Sequence, residues 1–315
     1  MPGIKTNVSL KDYTSYRIGG PAKYFFEAKT AKKLIQAIKA AKKIGLPFFI
    51  FGRGSNILVS DQGYPGLMIK MAATDCEIKG EEIISEAGMA LASLVSRSIE
   101  NGLAGLEWAA GIPGTIGGAI YGNSGAFGKA MADIVKSVMV FDTRTQRTRK
   151  FKNKNCQFAY KESIFKHKRN LVIRAAEIEL RRGNCKEISE KMRRYLRYRR
   201  EKQPLDFPSA GSVFKNIEAQ KFFSKNSFQK LKKKFPQLEE FIKKGQVPAG
   251  FLIESAGLKG KRIGKAQISE KHANFIINLG EARAKDVLKL ITLIKKSLKK
   301  RYKVVLEEEI RCLGF

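Results

Sequence analysis

The stretch FFIFGRGSNILV, Phe48 to Val59, decides the fold of this chain. Its two apolar runs, Phe48 to Phe51 and Ile57 to Val59, have the length and residue types of short buried strands. Between them lies Gly52-Arg53-Gly54-Ser55-Asn56. Glycine lets a backbone turn sharply and approach another group closely. Successive exposed N–H groups in such a turn form an anion-binding concavity, to which Ser55 and Asn56 can add side-chain bonds. The turn is neither a GxGxxG fingerprint nor a Walker A loop, since no Gly-Lys-Ser/Thr follows. Taken alone, a structural strand-to-strand turn accounts for it as well. Upstream, KYFFEA (residues 23–28) reads as a strand. A helix follows, with Thr30 as N-cap, Leu34, Ile35, Ile38 and Ala41 inward, and Gly45 as its stop. Together these elements have α/β character.

Downstream, from Leu67 to about Leu180, the apolar runs are mostly strand-like: IISEA, DIVKSVMVF and LVIRAAEIEL. One helix interrupts them, with Leu91, Leu94, Val95 and Ile99 on one face and Gly102 after it. A basic segment follows, in which Ile188, Met192, Tyr195 and Leu196 recur at helical spacing, so its Lys and Arg side chains are expected on the solvated face. Residues 203–216 (QPLDFPSAGSVFKN) are turn-rich. Val287, Leu288, Ile291, Ile294 and Leu298 mark a long amphipathic helix, with a strand expected at Val304 to Leu306. The pattern predicts a break near residue 185 and a weaker one near 70, and an α+β class with α/β character.

Composition narrows the function. The chain has 315 residues, 43% of them hydrophobic and 29% charged, which excludes wholesale disorder. No apolar run approaches the roughly 18 residues of a membrane helix, and the start, MPGIKTN, lacks a signal-peptide core, so a cytoplasmic protein is expected. Cys76, Cys156, Cys185 and Cys312 show no paired spacing, which points to reduced thiols. With His167 and His272 the only histidines, no metal site is expected. The net charge is +32, densest at Arg144–Lys154, Lys191–Lys202 and Lys295–Lys303. General solubility, attraction of anionic substrates and nucleic-acid binding all fit that excess, and no zinc-finger, RNA-recognition or KH signature is present.

A second tract is richer in glycine: Gly111-Ile112-Pro113-Gly114-Thr115-Ile116-Gly117-Gly118-Ala119, then Asn123-Ser124-Gly125-Ala126. Removal of side chains over so long a stretch serves close packing of chain on chain or close approach of a flat or phosphorylated cofactor. The cofactor reading accounts for both tracts at once.

In order, FGRGSNILVSDQGYPGLMIK, LEWAAGIPGTIGGAIYGNSGAFG, SAGSVFKN, AGFLIESAGLKGKRIGKAQISEKHANFIIN and a terminal LEEEIR run through the chain. From about residue 14 to 315 the sequence strongly resembles the UDP-N-acetylenolpyruvoylglucosamine reductases, in the shorter of that family's two forms. The first two tracts alone indicate only a vanillyl-alcohol-oxidase-type FAD-binding fold; SAGSVFKN and Glu-Ile-Arg make the resemblance specific. It implies FAD-binding lobes at 1–70 and 71–188, a substrate-binding domain at 189–302, and a C-terminal strand at 303–315 returning to the active site. It further implies FAD, held noncovalently between the first two lobes, and NADPH as co-substrate. Gly52, Arg53, Gly54, Ser55, Asn56 and Ile57 would line the cofactor, with Gly111, Pro113, Gly114, Thr115, Gly117, Gly118, Asn123, Gly125 and Ala126.

The implied reaction reduces the enolpyruvyl ether of a UDP-sugar to UDP-N-acetylmuramate, in peptidoglycan precursor synthesis. Ser212 matches the family's proton donor; a hydroxyl is a weak acid and serves only against a strongly basic, enol-like intermediate. Glu309 matches the acid that polarises the substrate carboxylate, and beside that anion it would have to hold or share a proton to bond favourably. Lys161 departs from the family, whose motif is aromatic-Arg-x-Ser where this chain has Tyr160-Lys161-Glu162-Ser163. Lysine keeps the charge and loses the planar fork; loss of one preorganised donor costs on the order of a hundred- to a thousandfold in rate, so partial function is expected. Tyr160, Lys202, Lys215, Asn216, Gln267 and His272 are candidate substrate contacts, with Asn274 in the same segment as the last two. Trp108 is expected to be a packing residue. Two rivals remain open on the residues: a flavin oxidase on the same cofactor fold, and a basic nucleic-acid-binding protein that has lost its chemistry. A monomer without membrane insertion or nucleic-acid partner is expected.

Overall fold

A computed structural model of the chain describes residues 2–219 and 235–315. The chain forms two compact units that alternate along the sequence: Met1–Val8, Ala22–Gly54 and Tyr64–Glu201 in the first, and Ser9–Pro21, Ser55–Gly63 and Lys202–Phe315 in the second.

The first unit is built on a four-stranded and a five-stranded sheet, with two small two-stranded ladders beside them. The four-stranded sheet has the order Lys5–Ser9, Pro21–Ala28, Tyr64–Met71, Phe48–Phe51. Tyr64–Met71 runs parallel to both neighbours, Phe26 facing Ile69 and Ile50 facing Ile69 from the other side. The helical crossover that parallel strands require is the helix Ala31–Lys43, capped by Thr30 Oγ1, which accepts from Lys33 N–H at 3.2 Å. Its buried residues are Leu34, Ala37, Ile38 and Ala41. The other sheet is five-stranded and antiparallel, in the order Arg147–Lys152, Val135–Asp142, Leu171–Glu179, Glu82–Glu86, Cys76–Lys79. Helix Leu91–Glu100 buries Leu91, Leu94 and Val95. Trp108, 1% exposed, is a core residue as its sequence context suggests.

The second unit packs the helices Ala249–Ser255 and Ala284–Tyr302 around an antiparallel three-stranded sheet of Arg262–Ile263, Ala266–Ile268 and Ile276–Asn278. Its core includes Leu252, Ile253, Ile268, Val287, Ile291, Ile294 and Leu298. Ile57–Val59 belongs here, paired in parallel with Arg311–Leu313. The parallel sheet and the antiparallel sheets are segregated along the chain, which is the α+β arrangement with an α/β element.

Two expectations need correction. Val304–Leu306 is not a strand. The helix ends on Lys303 in a left-handed conformation (φ 58°), and Val304 and Leu306 are buried with Val305 exposed between them, yet no partner strand pairs with them. The ladder forms five residues later, at Arg311–Leu313. The basic helix, Cys185–Lys202, does not keep all its cations in water either. Arg199 is 7% exposed; its Nε donates to Ala110 O at 2.8 Å and its Nη2 to Trp108 O at 3.1 Å. The guanidinium also lies 5.3 Å from the Phe127 ring centroid, where cation–π attraction adds to the hydrogen bonds. Leu196, expected inward, is 37% exposed.

Candidate active site

In the first unit the glycine tracts meet through Thr115. A Cβ on Gly52 would lie 2.4 Å from Thr115 Oγ1 and 2.7 Å from its Cγ2. Thr115 is 3% exposed, and its hydroxyl accepts from Gly118 N–H at 3.3 Å as the N-cap of helix Ile116–Tyr121. The tract is then stitched to residues 87–91: Ile116 N–H donates to Met89 O, Gly117 N–H to Ala87 O and Leu91 N–H to Gly114 O. A Cβ on Gly117 would meet Ala87 Cβ at 2.8 Å, one on Gly111 would meet Arg199 Cδ at 2.9 Å, and one on Gly125 would meet Lys129 O at 2.6 Å. At Gly52, Gly111, Gly117 and Gly125, therefore, the chain's own packing accounts for the missing side chain. Gly118 differs. It is exposed, and a Cβ there would touch only Thr115 Oγ1, at 3.6 Å.

The stitching opens a cleft of about 430 Å³, lined by Gly52, Arg53, Lys70, Gly88 to Ala90, Ser93, Arg97 and Thr115 among others. Three cationic side chains line it and no carboxylate does. The Arg53 and Gly54 N–H groups donate no hydrogen bond among the described residues. Free amides in a turn beside fixed positive charge are the donor set that a diphosphate requires. Ser93 and Arg97 were not read as site residues from the sequence. Their signal is the i, i+4 spacing on the face of helix Leu91–Glu100 opposite Leu94 and Val95.

Asn123 and Lys161 are linked in the same unit. Residues 159–162 form a tight turn closed by Ala159 N–H to Glu162 O at 3.1 Å and Glu162 N–H to Ala159 O at 3.0 Å. Lys161 takes a left-handed φ of 56° within it. The buried Asn123 spans two segments: its Nδ2 donates to Ala159 O at 2.8 Å and its Oδ1 accepts from Ala132 N–H at 3.0 Å. Ser163 Oγ donates to Tyr121 O at 2.7 Å, and Lys166 Nζ donates to Lys161 O. Thus the glycine tract, through Tyr121 and Asn123, fixes the turn that presents Lys161. Gly125–Ala126 forms a small hairpin with Lys129–Ala130.

In the second unit Ser212 and Glu309 come from distant stretches that pair. Glu309 N–H donates to Val213 O at 2.8 Å, and Lys215 N–H to Glu307 O at 2.9 Å. Asn56 Nδ2 donates to Glu309 O at 3.1 Å, and Arg311 N–H to Asn56 O at 3.0 Å. Ser212 and Glu309 are both half-buried. Within the glutamate run the side chains divide: Glu307 binds Lys215 Nζ at 2.5 Å and Glu308 binds Lys295 Nζ at 2.6 Å.

The other candidates have structural bonds of their own. Asn216 Oδ1 accepts from Ala249 N–H at 3.2 Å, at the start of helix Ala249–Ser255, and Gln267 Nε2 donates to Gly260 O at 3.2 Å. His272 Nδ1 accepts from Asn274 N–H at 3.2 Å, which fixes its neutral tautomer with the proton on Nε2. Burial holds its pKa below the ordinary histidine value, helped by Lys259. Lys202 is exposed at the end of the basic helix, and Tyr160 is 37% exposed. Among the described residues no His, Cys, Asp and Glu cluster could hold a metal, and no helix is long and apolar enough to cross a membrane.

Residues 203–313 match the family described as UDP-N-acetylenolpyruvoylglucosamine reductase, C-terminal domain, and residues 22–149 match the family described as FAD binding domain. The chain is 40% identical over 309 residues to the UDP-N-acetylenolpyruvoylglucosamine reductase of Caldanaerobacter subterraneus subsp. tengcongensis, spanning 98% of this chain and 93% of the relative. It is 39% identical over 314 residues to the reductase of Anoxybacillus flavithermus, spanning 99% and 94%. The crystal structure of UDP-N-acetylenolpyruvylglucosamine reductase from Thermus caldophilus has the same fold, with a TM-score of 0.79, 32% identity and 99% of each chain covered.

Proposed function

The chain belongs to the UDP-N-acetylenolpyruvoylglucosamine reductase family, and from that premise we propose that Ser212, Glu309 and Lys161 are the side chains that carry its reaction. The protein is an FAD oxidoreductase of peptidoglycan precursor synthesis that converts UDP-N-acetylglucosamine enolpyruvate to UDP-N-acetylmuramate with NADPH as reductant. FAD, when bound, would supply the hydride chemistry that links NADPH to the vinyl carbon of the substrate. The chain's own groups orient the reactants and manage charge and protons.

Hydride addition builds negative charge on the carboxylate-bearing carbon. Lys161 supplies positive charge to that developing enolate, and Glu309 polarises the carboxylate. The Ser212 Oγ–H bond then breaks as a C–H bond forms at the same carbon, and the serine oxygen regains its proton from solvent. The observation that carries the assignment is the Glu309–Val213 hydrogen bond of 2.8 Å, which ties the acid's backbone to the residue after the serine. Arg53, Lys70, Arg97 and the unpartnered Arg53 and Gly54 amides suit the pyrophosphate of a noncovalent FAD, and Gly118 suits close approach of the cofactor. Lys202 is assigned to the UDP-sugar. The protein acts as a monomer in the cytoplasm, where nucleotide sugars and NADPH are found, and nucleic acid is not its partner.

The test is direct. Purified protein is expected to be yellow with a flavin spectrum, to bleach anaerobically with NADPH, and to recover its colour when the enolpyruvyl sugar nucleotide is added. Bleaching by simple alcohols in place of NADPH, or a colourless protein that binds RNA in a salt-sensitive way, would overturn the reading. Ser212→Ala is expected to slow reoxidation by the sugar nucleotide at least a hundredfold.

A further inference from the structure

Asn274 lies between the strands Ala266–Ile268 and Ile276–Asn278, 3% exposed. Its carboxamide is bound to one residue of another segment. Oδ1 accepts from Phe214 N–H at 3.0 Å, and Nδ2 donates to Phe214 O at 2.8 Å. Its backbone carbonyl accepts from Val213 N–H at 2.8 Å. Phe275, the next residue, forms an antiparallel bridge with Ser212. On its other edge the same segment pairs with Glu307 to Glu309, Phe214 bridging Glu308. Ser212 to Lys215 is thus a short extended segment held on both sides, with one rung supplied by a side chain.

That rung matters because Gly211, just before Ser212, is left-handed (φ 75°) and has no side chain to pack: a Cβ there would find no atom within 4 Å. Upstream the chain is held again, by the buried Ala210, by Gly211 N–H donating to Ser209 Oγ at 3.5 Å, and by the Ser209 carbonyl accepting from Ser15 Oγ at 2.7 Å. We propose that Asn274 is a positioning residue for Ser212: its carboxamide, bonded to both backbone polar groups of Phe214, sets where the Ser212 hydroxyl stands. This rests on the reading of Ser212 as the proton donor.

The residue type follows from the donor and acceptor requirement. At neutral pH a carboxamide of this length offers an acceptor to an N–H and a donor to the adjacent C=O, where an ionised carboxylate offers acceptors alone. An ionised Asp presents an acceptor to the Phe214 carbonyl, and Ala leaves two buried backbone groups unpaired. A protonated Asp restores the O–H donor while keeping the acceptor. Asn274 is not read as a substrate contact, because its acceptor is already taken and its side chain is buried.

The experiment separates the two half-reactions of the FAD-loaded, full-length enzyme by stopped flow: flavin reduction by NADPH, and flavin reoxidation by the enolpyruvyl sugar nucleotide. Asn274→Asp and Asn274→Ala are compared with Ser212→Ala. A displacement of about 1 Å at a reacting group costs on the order of a hundredfold, so reoxidation is expected to slow by about that factor in both Asn274 variants. Reduction should stay within about twofold of wild type. As pH is lowered from 8 to 5.5 and the aspartate takes up a proton, reoxidation in Asn274→Asp should recover relative to Asn274→Ala; His272, whose Nδ1 accepts from the residue 274 N–H, is common to both variants, so its own protonation cancels in that ratio. If Ser212→Ala slows reoxidation and the Asn274 variants do not, the positioning role is overturned while Ser212 keeps its assignment. If both half-reactions slow equally in the Asn274 variants, the residue supports the fold in general and the proposal is overturned. If Ser212→Ala reoxidises at the wild-type rate, the proton-donor reading fails, and the positioning role fails with it.

Discussion

Lys161 sits at the centre of a four-residue turn with a left-handed backbone, anchored by Asn123, Ser163 and Lys166. The turn is built by its neighbours, so replacing the side chain leaves it intact and the charge carrier can be exchanged cleanly. Arginine offers a planar fork suited to a carboxylate where lysine offers a point charge. Lys161→Arg is therefore expected to raise the rate of reoxidation by the enolpyruvyl substrate about tenfold or more; a fall in turnover would show that lysine is the better electrophile here. His272 makes a second prediction. Its ring lies against Phe275, with centroids 4.9 Å apart, and a Cβ on Gly250 would come within 3.2 Å of it. Burial pulls its pKa below the ordinary histidine value of 6.5, Lys259 lowering it further and Glu254 opposing. The unfolded chain then binds a proton that the folded chain refuses, so this contribution to stability rises with pH and is lost as pH falls below about 6.5. Protonation would also remove the Nδ1 acceptor that holds Asn274 N–H. The urea midpoint should drop between pH 7 and pH 5.5 by more in wild type than in His272→Asn.

At the level of elements, the short helix Ile116–Tyr121 separates two reasons for having glycine. Gly52→Ala forces a Cβ against Thr115, which cannot swing away without giving up its cap on Gly118. Gly118→Ala meets almost nothing of the chain and replaces glycine in a helix, which favours the folded apoprotein by about 0.5–1 kcal/mol. Gly52→Ala should therefore lower both the melting temperature and the flavin content, read as the ratio of absorbance at 450 nm to that at 280 nm. Gly118→Ala should hold or raise the melting temperature of the apoprotein while flavin content falls. Full flavin retention in Gly118→Ala would remove the cofactor from the explanation of that glycine. The neighbouring glycines were read from the sequence as one cofactor-approach tract, but coordinates divide them by what each Cβ would strike. No short window of sequence holds that information for Gly52, Gly111 and Gly117, because Thr115, Arg199 and Ala87 reach them from distant positions; only Gly125 meets a near neighbour, Lys129 of the same hairpin.

At the level of the whole molecule, the +32 charge has several local uses. Arg199 is internal, Lys215 and Lys295 hold the glutamate run, and Arg53, Lys70 and Arg97 border the cleft. Many of the other described Lys and Arg side chains are exposed, where they attract anions over about a Debye length of 8–10 Å. NADPH and UDP-sugars are polyanions, so kcat/KM for both is expected to fall as ionic strength rises from 0.05 to 0.5 M; an unchanged value would make the surplus a matter of solubility alone. The sequence by itself determined several elements, such as the helix Ala31–Lys43 with its cap Thr30, because burial repeats every 3.6 or 2 residues and a cap is local chemistry. Its ordered motifs also determined the family. Tertiary structure alone decided partners. It placed Ile57–Val59 beside Arg311–Leu313 rather than with Phe48–Phe51, moved the last strand beyond Val304–Leu306, drew Arg199 off the solvated face of its helix, and set Asn274 against Phe214. Those choices join residues far apart in the chain, and they turn on which buried donors and acceptors each packed surface leaves to be paired.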